Sequence, residues 1–161
     1  MDSQEFETFA DNYTSKDFER ISFKWEGGYG AEFKDKNCAF RIQLCEFLIP
    51  RLNKTKLELI RDLYLEEGKT SEYTLGCYTK FHLLGQELLE RGGITYLTVY
   101  LNGAKHTMDT ALSSSKISLS KERARELLAY FDVKMKNPEN TEEAKLYSSY
   151  FRNRFEREAT K

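Results

Sequence analysis

The chain is poor in the residues that anchor most metal and cofactor chemistry. Its 161 residues contain three cysteines (Cys38, Cys45, Cys77) and two histidines (His82, His106). No Cys-x-x-Cys and no His-x-x-x-His spacing occurs among them, so the usual ligand patterns are missing. The expectation is therefore no metal and no cofactor. Three sparse cysteines also make no disulfide framework and predict reduced thiols packed as small hydrophobes.

Phosphate loops are missing too. Gly68-Lys69-Thr70 resembles the end of one, but the required upstream glycine is Leu63 and a helical pattern precedes it. Gly27-Gly28-Tyr29-Gly30 lacks the dinucleotide spacing and predicts only a tight turn.

Excess charge is lacking. Charged residues make up 32% of the chain, yet the net charge is −1. That balance gives no bulk attraction to nucleic acid. No apolar run approaches the about 18 residues a membrane span needs. Met1 to Glu5 is acidic and has no apolar segment, unlike a secretory signal. The expectation is a cytoplasmic protein with no membrane partner.

What is present is apolar patterning. Hydrophobic residues are 40% and aromatics 14%, enough for a core. Length predicts a single domain over 1–161. Residues 1–20 predict an acidic N-terminal helix capped by Asp2 or Ser3, with Phe6, Phe9, Ala10 and Tyr13 as its apolar stripe. Six acids there face only Lys16 and Arg20. Ile21 to Glu26 alternates as a strand does, and Ala31 to Asn37 is a loop or a short second strand. Cys38 to Ile49 fits both periods and leans to helix. Thr55-Lys56-Leu57-Glu58 is a capping-box pattern, opening a helix that Gly68 would stop. A further stripe runs from about Ser71 to Arg91. Ser120 caps the next helix, and Asn140 caps a C-terminal amphipathic helix within 138–161.

The strongest local signal is Asn102-Gly103, set between the alternating runs Ile94–Leu101 and Ala104–Leu112. Such a pair predicts a type I′ hairpin. Lys116 to Leu119 would add a third short strand. The expected fold class is thus α+β: an antiparallel sheet built around this hairpin, with five to six packed helices.

Three functions follow. The first is a protein-binding module without catalytic activity: an inhibitor, an adaptor or a toxin-neutralising immunity-type protein. Its expected surface is the hairpin face carrying Tyr96, Tyr100, Lys105 and Asp109. The acids Glu5, Glu7, Asp11 and Asp17 would steer a basic partner toward it. The second is a small enzyme using His82 or His106 with a cysteine or carboxylate. The third is a nucleic-acid-associated regulator. There Tyr147, Tyr150, Phe151 and Phe155 interleave with Arg152, Arg154 and Arg157, but Glu142, Glu143, Glu156 and Glu158 cancel the charge.

Overall fold

A computed structural model describes residues 3–161; Asp2, one of the two predicted caps, lies outside them. Among these residues the architecture is helical. Nine α-helices run in chain order: α1 Ser3–Asn12, α2 Cys38–Leu48, α3 Leu57–Ser71, α4 Phe81–Gly92, α5 Ile94–Ala104, α6 Met108–Ser114, α7 Lys121–Lys136, α8 Thr141–Leu146 and α9 Ser149–Thr160. The sheet is one small antiparallel pair, β1 Trp25–Gly27 with β2 Lys34–Asp35. Shorter 3-10 turns span Ser15–Arg20, Gly30–Glu32 and Ile49–Lys54.

The predicted α+β fold is therefore overturned, and the reason lies in α5. The residues expected to form a central hairpin are two helices, α5 and α6, joined through Lys105-His106-Thr107. Asn102 and Gly103 lie inside α5, and Gly103 is not among the glycines with positive φ. Leu97, Tyr100, Leu101 and Ala104 point inward, at the i, i+3, i+4, i+7 spacing of a helix. Leu97, Val99 and Leu101 alternate only because a helical stripe and a strand face share positions 97 and 101. A Cβ on Gly103 would overlap the Tyr64 ring. The glycine is there for close packing of α3 on α5, not for a turn. Tertiary packing has overridden the β-branched content of Ile94, Thr95, Thr98 and Val99.

Other boundaries also shift. Lys116 to Leu119 forms no strand, although Ile117 and Leu119 are buried. Gly68 does not stop α3, which runs on to Ser71, and regular helix resumes only at Phe81. The C-terminal helix is two pieces, α8 and α9, broken at Tyr147 and Ser148. The N-terminal helix and the helical reading of 38–49 agree with α1 and α2.

Aromatic rings join the two halves of the core. Phe81 stacks on Tyr64 with centroids 4.3 Å apart, and Tyr64 lies parallel to Tyr100 at 6.1 Å. Tyr100 meets Phe155, and Phe155 meets Phe131. Both phenols are satisfied, as burial demands: Tyr64 donates to the Tyr100 carbonyl at 2.9 Å and Tyr100 to the Ser114 carbonyl at 2.7 Å.

Candidate binding surface on the small hairpin

The β1–β2 pair carries the largest ring cluster outside the core. A turn through Gly28 reverses the chain, with φ at +72° and the Glu32 carbonyl where a Cβ would sit. Only glycine fits there without strain. The Trp25 indole N–H closes the turn on the Gly28 carbonyl at 2.9 Å. Gly30 N–H donates to the Tyr73 carbonyl at 2.8 Å, tying the turn to the end of α3.

Three rings meet as a result. Trp25, Tyr29 and Tyr73 have mutual centroid separations of 5.2 to 5.5 Å. Phe23 backs Tyr73 at 5.0 Å. Leu75 adjoins the turn, close to the space above Gly30. Trp25 remains 45% exposed, Tyr29 63% and Leu75 95%. Large apolar side chains gathered and left in water are the informative kind of exposure.

The pad sits on a rigid base. Arg41, wholly buried, donates Nε to Glu67 at 2.6 Å and Nη2 to Asp35 at 2.8 Å and Thr70 at 2.5 Å. Its Nη1 reaches the Ile21 carbonyl at 3.2 Å. Asp35 also accepts from the backbone N–H of Lys24 and Asn37. Glu66 takes the Phe23 N–H at 2.6 Å. One guanidinium thus ties the β2 end of the hairpin, and the chain at Ile21 that leads into β1, to α2 and α3.

The residues expected to bind do not assemble. Tyr100 is fully buried and Tyr96 is half-buried over Gly92. Lys105 and Asp109 are exposed on either side of the α5–α6 link. The acids are dispersed among cations. Glu5 pairs with Arg20 at 2.8 Å and Glu7 with Arg51 at 3.9 Å. Asp11 lines a concavity shared with Arg51, Lys54 and Lys56. Asp17 accepts from the Thr14 N–H and hydroxyl, which hold its carboxyl below the usual range.

The histidines and cysteines are equally scattered. His106 Nδ1 pairs with the Glu72 carboxylate. His82 Nδ1 is buried without a partner, and burial lowers its affinity for a proton. Burial pushes all three thiols up, away from the reactive thiolate. Among the described residues no three His, Cys, Asp or Glu side chains converge as metal ligands.

The C-terminal arginines are engaged internally. Arg152 binds Asp132 through two bonds and also pairs with Glu156. Arg154 is buried against Tyr100 and the Ala111 carbonyl, and Arg157 bonds the Ser115 carbonyl. Phe151, Phe155 and Tyr147 are core.

The pad residues Trp25, Tyr29, Tyr73 and Leu75 were not singled out by sequence. Their signal was a tryptophan and a tyrosine flanking a glycine-rich turn. Tyr73 and Leu75 joined them only through the fold. Among the described residues no helix is long and apolar enough to cross a membrane. No protein-family model matches the chain, and neither a curated protein nor a solved structure does.

Proposed function

We propose that this chain is a protein-binding module, of inhibitor or adaptor type, that works by docking rather than by turnover. The observation carrying this reading is the pad of exposed Trp25, Tyr29 and Leu75 packed on half-buried Tyr73. Tryptophan and tyrosine lead the residues that dominate binding energy, because their rigid rings lose little entropy on docking. Anchoring of the hairpin by Arg41 supports it further, since a pre-ordered surface does not have to be organised on binding.

The test compares partners captured from the native host by the wild type and by a Trp25→Ala/Tyr29→Ala variant. Proteins held by the wild type should be lost from the double variant at an unchanged unfolding midpoint. Tyr96→Ala should retain them. Equal capture by the double variant would refute the assignment of the pad.

A further inference from the structure

Beside the pad, α2, the end of α3 and the segment 72–80 border a shallow, open groove of about 410 Å³. Cys38, Ile42, Thr74, Leu75 and Tyr78 line it, and Glu67 reaches it from the interior. Leu75 belongs to both groove and pad, so the two form one continuous surface.

The charges beneath this groove do not balance. Arg41 is the one cation among Arg41, Asp35 and Glu67, whose side chains are at most 2% exposed. Neighbouring Glu66 is already held by Lys69 at 2.6 Å and by the Phe23 N–H. At the rim, Glu46 holds both Lys80 and the Tyr78 hydroxyl. An ionised Glu67 is therefore one positive charge short, and a buried carboxylate needs a partner. Glu67 Oε1 accepts from Arg41, while among the described residues nothing donates to Oε2. His82 Nδ1 is the one sealed side-chain polar atom without a partner among those residues. Glu67 also lines the groove although its side chain is only 2% exposed, so the groove is the side from which Oε2 can be reached.

We propose that this groove receives an arginine or lysine side chain of the docked partner, with Glu67 as the counter-ion. The proposal rests on the binding reading above and adds the partner's chemistry: an apolar contact for the pad beside a basic side chain for the groove. A guanidinium or ammonium supplies the missing charge and a donor for Oε2. Protons compete for the same oxygen, so binding strengthens as pH rises. The other titratable groups facing Glu67 are Arg41, Cys38 and Cys45 on α2, Asp35 on β2, Glu66 on α3, and Cys77 and Tyr78 on segment 72–80. Burial keeps the thiols and the phenol neutral in this range.

The test uses the full chain, labelled with nitrogen-15, and two small probes: ethylguanidinium and its neutral analogue ethylurea. Ethylguanidinium should shift the amides of Thr70, Thr74 and Cys77 saturably, and more tightly at higher pH. Ethylurea should not. Glu67→Gln should weaken the guanidinium by about tenfold, the effect of one charge-assisted hydrogen bond. Should that variant fail to fold, Thr74→Arg places a cation in the groove and should abolish probe binding. Trp25→Ala/Tyr29→Ala should leave probe binding intact, which separates this site from the pad. Absence of saturable shifts, equal binding of ethylurea, undiminished binding by a folded Glu67→Gln variant, or undiminished binding by Thr74→Arg would overturn the proposal.

Discussion

The ring of Tyr64 packs against Gly103, at a place where a Cβ would overlap it. This contact brings α3 and α5 together and lets the Tyr64 hydroxyl reach the Tyr100 carbonyl. Gly103→Ala should therefore destabilise, although alanine is the better helix former. The expected loss is about 1–3 kcal/mol, the range for an overpacked core. A urea titration checks it. Equal or greater stability in the variant would mean that Tyr64 does not pack there.

Tyr96 and Tyr100 sit on the same helix but in different surroundings. Tyr100 is enclosed and bonded to Ser114, whereas Tyr96 is half-buried. Tyr100→Ala should cost about 3–5 kcal/mol, as for other large core truncations. Tyr96→Ala should cost clearly less. Equal denaturation midpoints for the two variants would contradict the helical placement of α5.

Arg41 holds the hairpin, and its loss leaves Asp35 and Glu67 facing each other without a cation. Arg41→Met should cost about 3–5 kcal/mol, the range for breaking a buried ion pair from one side. The chain has a single tryptophan, and it lies on this hairpin. Its fluorescence should report loosening of the hairpin at lower denaturant than circular dichroism reports loss of helix. Coincident transitions at the wild-type midpoint would show that the clamp does not hold the pad.

Burial raises the Glu67 carboxyl above its ordinary value of 4.5, and Arg41 only partly offsets this. Between that value and the raised one, the folded state holds a proton that the unfolded chain has released. Stability contributed by Glu67 is therefore full below 4.5 and falls as pH rises through this window. Asp17, Asp132 and Glu143 have lowered values and act in the opposite sense, losing stability on acidification. Comparing wild type with Glu67→Gln cancels those shared groups. The variant should gain on the wild type as pH rises above the ordinary carboxyl value of 4.5. A difference that stays constant with pH would contradict the raised value.

Helical stripes were legible wherever polar residues separated the apolar ones. Phe6, Phe9, Ala10 and Tyr13 in α1 are buried as their spacing predicts; of the stripe Ala124, Leu127, Leu128, Phe131 and Met135 expected in α7, Ala124, Leu127 and Phe131 are buried, Leu128 is half-buried and Met135 is exposed. The stretch 94–112 misled because the chemistry of Asn-Gly and alternation over a few residues are local signals. What decides its structure is a ring 39 residues before Gly103 in sequence, Tyr64, that needs a glycine opposite it. The N-terminal acids read as a negative face because Arg20, Arg51 and Lys56 approach α1 only after folding. The pad was hidden for the same reason. Trp25 and Tyr29 stood four residues apart at a visible turn, but Tyr73 and Leu75 reach them from the turn that follows α3.

The pad is proposed as the place where a partner docks. Its most direct test is a photoreactive benzoylphenylalanine placed at position 29, at 75, or at the remote exposed position 121, and irradiated in the native host. Positions 29 and 75 should cross-link the same partner as one defined product, and position 121 should not. The product from 29 should disappear when Trp25→Ala is added. An identical pattern from all three positions, or a partner captured only at 121, would contradict the account.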